Sequence, residues 1–232
     1  MTYVLHYAPD NASLIIRLAL EELGAPYTTV LVERARNAQR SSKYLAINPN
    51  GLIPTLETPQ GPIFETGAIL LWLTEQHNAL APAADSVKRA DFLKWLFFMS
   101  NTLHSELRMM FYPDKYIGPD LGDCTKLRRG LQTNLKAHLA KLDALAAEGH
   151  SWFGSVTVTV LDLYVVTLLR WMALYPASGT KWFSLANTPH LHDLAARIER
   201  RGCVKRAIEA EGLGATPFTK PRYATPPEGS AT

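Results

Sequence analysis

The feature that most constrains this chain is a change of hydrophobic period near residue 80. Before it, β-rich runs alternate with helical ones. Residues 3–7 (YVLHY) are β-rich and stop at Pro9-Asp10. Residues 12–24 (ASLIIRLALEELG) have helical spacing and end at Gly24 and Pro26, a helix-stop pattern. Residues 27–32 form a second β-rich run, and 41–47 allow one or two helical turns. Runs at 53–57 and 62–64 flank Pro59-Gln60-Gly61, a hairpin signal, and 66–77 are helical again. The order β-α-β-α-β-β-α predicts a small mixed sheet, because a βαβ unit makes parallel strands and a hairpin antiparallel ones. Beyond residue 85 the β signals vanish, and 86–112, 124–148, 159–175, 188–201 and 203–211 read as helices. The expected organisation is an α/β domain over 1–78, a linker at 79–85, an all-helical domain over 86–212 and an irregular tail, rich in Pro, Thr and Gly, over 213–232.

Composition narrows the function classes. A net charge of +3, with Lys and Arg scattered, argues against a nucleic-acid partner. Two cysteines, Cys124 and Cys203, give neither a metal-binding spacing nor a disulfide framework, and fit a reducing compartment. The segment MTYVLHYAPD lacks the basic and apolar regions of a signal peptide. The most apolar stretch, 158–175, carries Asp162 and Arg170 and reads as a buried core helix, not a membrane span. The expectation is a cytoplasmic protein with no membrane partner and no metal; His190 and His192 have no third ligand nearby in sequence. No dinucleotide, P-loop, nucleophile-elbow or zinc-protease motif is present.

Two short motifs carry the chemistry. In INPNGLIPTL (47–56), Pro54 stands near the start of the third strand, where a ladder donor is lost. With the element order, this resembles the thioredoxin fold. That resemblance implies a cis Pro54 that leaves the N–H and C=O of Ile53 open to an extended peptide, paired as an added strand. In FETGAI (64–69), Thr66 is a good N-cap before a helix. The helix N-terminus suits a carboxylate, and Glu65 beside it suits an ammonium group. The ligand described has a peptide-like middle and an α-amino-acid end, and glutathione has both.

With NPNGLIPTL, FETGAILLWL, the helical second half and RIERRGCVKRAIEAEGL, the chain resembles the glutathione S-transferases over about residues 1–212, most closely the bacterial beta-like members. The resemblance implies a thioredoxin-like N-terminal domain plus an all-α C-terminal domain. It implies glutathione as co-substrate with no metal, a hydrophobic electrophile as second substrate, a homodimer and a role in detoxification. It makes Thr159 and Asp162 a buried capping box, a folding element. Beta-like members carry a catalytic Cys where this chain has Ala12. Stabilising the thiolate, the reactive form of the thiol, then falls to Ser13 at the first helix start, to Tyr7 at the end of the first strand, or to the Asn11 amide, with Ser13 leading. Lys43 lies where relatives hold the glycyl carboxylate. Arg108 replaces a family His, and with Met109, Met110, Phe111 and Tyr112 is expected at the second-substrate pocket; His104 is expected to be structural. The expected activity is joining glutathione to an electrophile. Two alternatives stand beside it: a glutathione-binding stress or regulatory protein with little transferase activity, and a glutathione-dependent peroxidase or isomerase.

Overall fold

The sheet is built around its first strand. In the computed structural model, which describes residues 2–231, β1 (Tyr3–Tyr7) lies inside a four-stranded sheet of order β2-β1-β3-β4. β2 (Tyr27–Leu31) pairs parallel to it, with Tyr3 opposite Tyr27. β3 (Thr55–Thr58) and β4 (Gly61–Phe64) pair antiparallel, with Leu56 opposite Leu5 and Ile63. β3 starts at Thr55, two residues later than the sequence pattern suggests, because Pro54 has no N–H to give to a ladder. The Ile53–Pro54 peptide bond is cis.

α1 (Ser13–Leu23) crosses from β1 to β2, and every residue from 13 to 20 is buried. It can be buried on both faces because α8 (Val160–Leu174) and α10 (Gly202–Glu211) of the second half pack against the face that the sheet does not cover. α2 (Ser42–Leu45) is a single turn, and α3 (Thr66–His77) closes the sheet domain. The two halves therefore share one apolar core, running from Leu5 and Leu56 through Leu14 and Leu18 to Leu163 and Leu168.

The single helix expected over 86–112 is instead three pieces: α4 (Arg89–Phe97), a π-helical turn at Phe98–Leu103, and α5 (His104–Phe111). π-turns recur at functional sites, and Ser100 and Asn101 of this one face the large cavity described below. A short α6 (Asp114–Ile117) was not foreseen. α7 (Leu121–Ala147) begins three residues earlier than expected, because Asp120 caps it through the Asp123 N–H at 2.8 Å. α9 (Pro189–Glu199) precedes α10. At the start of α8, Asp162 accepts from the Thr159 N–H at 2.8 Å, completing the capping box.

The tail has no helix or strand between 213 and 231, yet it is packed. A Cβ at Gly212 would lie 2.0 Å from the Thr225 carbonyl oxygen, so the closeness of the returning chain requires glycine. The tail then crosses to the sheet domain, where Glu228 meets Tyr7 and the Ala231 carbonyl accepts from Arg34 at 3.0 Å.

Candidate functional site

Where the C-terminal end of the sheet domain faces α5 and α8, a cavity of about 1060 Å³ opens. That is at the upper end of ordinary ligand pockets, roughly 300–1,000 Å³. One wall comes from the β1–α1 loop, the segment before β3 and the start of α3; the other from the π-turn, α5 and α8, with Tyr223 and Ala231 of the tail at the edge.

The segment before β3 is held from behind. The Tyr44 hydroxyl and Asn48 Nδ2 both donate to the Leu52 carbonyl, at 2.6 and 2.8 Å. Gly51 adopts φ +59°, and a Cβ there would stand 2.8 Å from the Gln39 carbonyl oxygen, which explains the glycine of NPNG. With Leu52 fixed, Ile53 lies on the cavity wall, and among the described residues nothing bonds its N–H or C=O.

Glu65 and Thr66 also line the cavity. Thr66 is not the N-cap that its type suggests. It is the first residue of α3, and Glu65 holds the cap position without a side-chain cap bond, its carbonyl accepting from the Ile69 N–H at 2.9 Å. Glu65 has φ +71°, a left-handed backbone that costs a side-chain-bearing residue roughly 1–3 kcal/mol and is concentrated at ligand sites. The first N–H groups of α3 have no helical partner, and Thr66, Gly67 and Ala68, which carry them, line the cavity.

Of the three residues expected to meet a thiolate, the structure brings one to the wall. Ser13 is fully buried: its hydroxyl donates to the Ala8 carbonyl at 3.0 Å and accepts from the Ala8 N–H at 3.2 Å. It ties β1 to α1 and does not reach the cavity. Tyr7 is buried too, and its hydroxyl donates to Glu228. Burial, then the Glu228 carboxylate, holds its pKa well above the ordinary phenol value, so it stays protonated. Asn11 does line the cavity. Its Oδ1 accepts from the Ala12 N–H at 2.8 Å, and Nδ2 has no partner among the described residues.

The other assignments divide similarly. Lys43 is exposed on α2 and is not on the wall; Arg34 and Arg40, from the 3₁₀ turns at Arg34–Arg36 and Ala38–Arg40, are. Arg108, Phe111 and Tyr112 line the cavity, whereas Met109 and Met110 do not, Met110 being in the core. His104 is on the wall, its Nδ1 2.8 Å from the Tyr164 hydroxyl. Burial, with Arg108 adding to it, pushes His104 down to about 4, so it is neutral at pH 7.

Sequence reasoning missed Asp10. It has φ +49° and sits under the site, where both oxygens accept from Arg170, at 2.8 and 2.9 Å. Trp171 Nε1 and the Tyr175 hydroxyl also donate to it, at 3.0 and 2.8 Å. Its N–H donates to Glu211, which also accepts from Arg17 at 2.7 Å. This buried network sets the β1–α1 loop against α8 and α10. The turn signal Pro9-Asp10 gave no hint of it, since all its partners are at least 160 residues away.

Residues 1–75 match the glutathione S-transferase N-terminal domain. A sphingomonad glutathione S-transferase, solved in complex with glutathione, is 30% identical with a TM-score of 0.74, over 91% of this chain and 100% of that one. The chain belongs to the glutathione S-transferase family. Glutathione S-transferase GstA of Escherichia coli O157:H7 is 28% identical over 214 residues, covering 90% of this chain and 98% of GstA. Probable elongation factor 1-gamma 2 of Arabidopsis thaliana is 26% identical over 180 residues, covering 72% of this chain but 43% of that protein. Among the described residues, no group of His, Cys, Asp and Glu is placed to hold a metal. No described helix is long and apolar enough to cross a membrane.

Proposed function

We propose that the protein binds glutathione in this cavity and joins its thiolate to a hydrophobic electrophile. The observation that carries this is the unpaired backbone of Ile53, beside the left-handed Glu65 at the N-terminus of α3. The cysteinyl backbone of glutathione pairs with Ile53 as an added strand. The γ-glutamyl carboxylate takes the free N–H groups of α3 and the Thr66 hydroxyl, its ammonium takes Glu65, and Arg34 or Arg40 takes the glycyl carboxylate. Asn11, not Ser13, then donates Nδ2–H to the sulfur. The thiolate attacks the electrophilic carbon, an S–C bond forms, and the leaving group departs with its electron pair. A cytoplasmic homodimer serving detoxification belongs to the same reading, supported by family membership; two-fold pairing is the commonest closed assembly.

Isothermal titration tests the binding half. Wild-type protein takes up glutathione in the micromolar to low millimolar range, and Glu65→Ala weakens it by about tenfold or more, the equivalent of about 1.4 kcal/mol. Equal affinity in the two proteins rejects the assignment of Glu65.

A second reading is supported by the commitments of Ser13 and Tyr7 and by the likeness to an elongation factor subunit. In it the protein binds glutathione for a regulatory end with little turnover. Glutathione binding without conversion of any electrophile, peroxide or isomerisable substrate separates this reading from the first.

A further inference from the structure

We propose that the second substrate is an acidic electrophile, an aromatic or apolar body bearing a carboxylate, whose charge is received by Arg108 and Lys115. This rests on the glutathione reading above and names the substrate class of the same cavity.

The cavity wall is cationic. It carries Arg34, Arg40, Arg108 and Lys115 against two acids, Asp10 and Glu65. Asp10 is spent on Arg170, Trp171 and Tyr175. Among the described residues, none of the four cations has a carboxylate within 4.0 Å. Elsewhere some arginines are paired, Arg17 with Glu211, Arg89 with Glu75, Arg201 with Glu22 and Arg206 with Glu21, and others, such as Arg128 and Arg197, donate to backbone carbonyls instead. What sets the cavity apart is that four cations without a carboxylate partner converge on one wall.

The four cations fall into two pairs with different duties. Arg34 and Arg40 come from the sheet domain: Arg40 stands against Gly51 and donates to the Asn50 carbonyl at 3.4 Å, and Arg34 reaches across to the Tyr112 hydroxyl at 2.9 Å. Arg108 and Lys115 belong to α5 and α6, across the cavity. In the glutathione reading one carboxylate is met by the helix end and the other by Arg34 or Arg40, so Arg108 and Lys115 have no counter-charge from glutathione.

Both heads of that second pair are steadied by phenol rings that leave their charge intact. The Arg108 guanidinium stands 5.5 Å from the Tyr116 ring centroid and donates to its hydroxyl. The Lys115 ammonium is 4.4 Å from the Tyr112 ring. Such contacts orient a cation without neutralising it. Phe97, Phe111, Trp171 and Tyr175 supply the apolar and aromatic wall beside them. A cleft of one charge sign with low-dielectric walls concentrates ligands of the opposite sign, and an Arg fork receives a carboxylate through two N–H groups. The lowered pKa of His104, to which Arg108 contributes, agrees with a positive field reaching the interior of the cavity.

The test pairs 4-chloro-3,5-dinitrobenzoate with its neutral methyl ester. In both, the glutathione sulfur bonds to the ring carbon bearing chlorine and chloride leaves; they differ in charge and, through the ring, in intrinsic reactivity. Each kcat/KM is divided by the rate with free glutathione in buffer. The acid is preferred by about tenfold or more, and Arg108→Gln reduces that preference by about tenfold, Lys115→Gln by less, while Arg108→Lys restores part of it. A preference for the ester, or a ratio unmoved by Arg108→Gln, overturns the proposal. If turnover is absent, the two S-aryl glutathione products are titrated as ligands. Tighter binding of the acidic product, lost in Arg108→Gln, supports the proposal. Equal binding of the two overturns it alone. If glutathione and both products fail to bind, the glutathione reading falls and this inference with it.

Discussion

At the scale of single residues, the site turns on which way a side chain faces. His104 shows how burial converts to pH dependence. Its folded pKa is about 4 against 6.5 for the free side chain, chiefly because burial disfavours the charged form. Between these values the unfolded chain binds a proton that the folded chain refuses. The contribution of His104 is therefore full above pH 6.5 and is lost as pH falls toward 4, about 3 kcal/mol in all at 1.36 kcal/mol per unit. Denaturation with urea at a series of pH values reads this out: wild-type protein loses that much more stability than His104→Gln between pH 7 and pH 4. Asp162, which burial raises to about 6, acts in the opposite direction but equally in both proteins, so it cancels from the difference. That Ile53, Glu65 and Thr66 line one cavity was legible in the sequence from their positions, before a strand proline and at a helix start, but that Glu65 and not Thr66 holds the cap position was not. Ser13 was not, because a serine at a helix start faces a ligand or the chain equally well by type. Only the contact with Ala8, itself in the loop, decides it.

At the scale of elements, the mixture of parallel and antiparallel strands and the ends of α1 and α3 followed from local chemistry, and the interruptions did not. The capping box of α8 was read from Thr159 and Asp162 three residues apart. Asp162 accepts from the Thr159 and Gly154 N–H groups at 2.8 and 2.9 Å, and Thr159 Oγ1 donates to the Trp152 carbonyl at 2.9 Å. Asp162→Ala leaves two N–H groups without acceptors and should cost about 2–6 kcal/mol, at roughly 1–3 kcal/mol per group. Thr159→Ala should cost about 1 kcal/mol, the usual value of a lost N-cap. A smaller loss for Asp162→Ala than for Thr159→Ala, measured by thermal or urea unfolding, would contradict the assigned order. The π-turn at Phe98–Leu103 was invisible because one inserted residue shifts the apolar pattern only slightly over 86–112. Its consequence is functional, since it moves Ser100 and Asn101 onto the cavity wall.

At the scale of the whole molecule, the two halves hold the site between them. The sequence indicated two units, but not that α1 would be buried from both sides or that the tail would return to Tyr7 and Arg34. Contacts spanning 160 residues or more leave no local trace. Asp10 and Arg170 are fully desolvated partners whose attraction is worth having only while both remain. Arg170→Met should therefore destabilise by about 3–5 kcal/mol, and adding Asp10→Asn should recover part of that loss, because the stranded charge goes with it. Additive losses in the double variant, by urea unfolding, would contradict the pairing. The network also fixes the loop that presents Asn11, which links overall stability to the proposed chemistry. The ultraviolet thiolate band of bound glutathione, titrated against pH, tests that chemistry most directly. In wild-type protein the bound thiol should ionise below the value near 8.5 of a free thiol. Asn11→Ala should raise it by about one to two units, from a charge-assisted bond of roughly 1.5–3 kcal/mol, and Ser13→Ala should not. A thiol that titrates on the wild-type protein as it does in solution, or one that responds to Ser13→Ala and not to Asn11→Ala, would contradict the site as assigned.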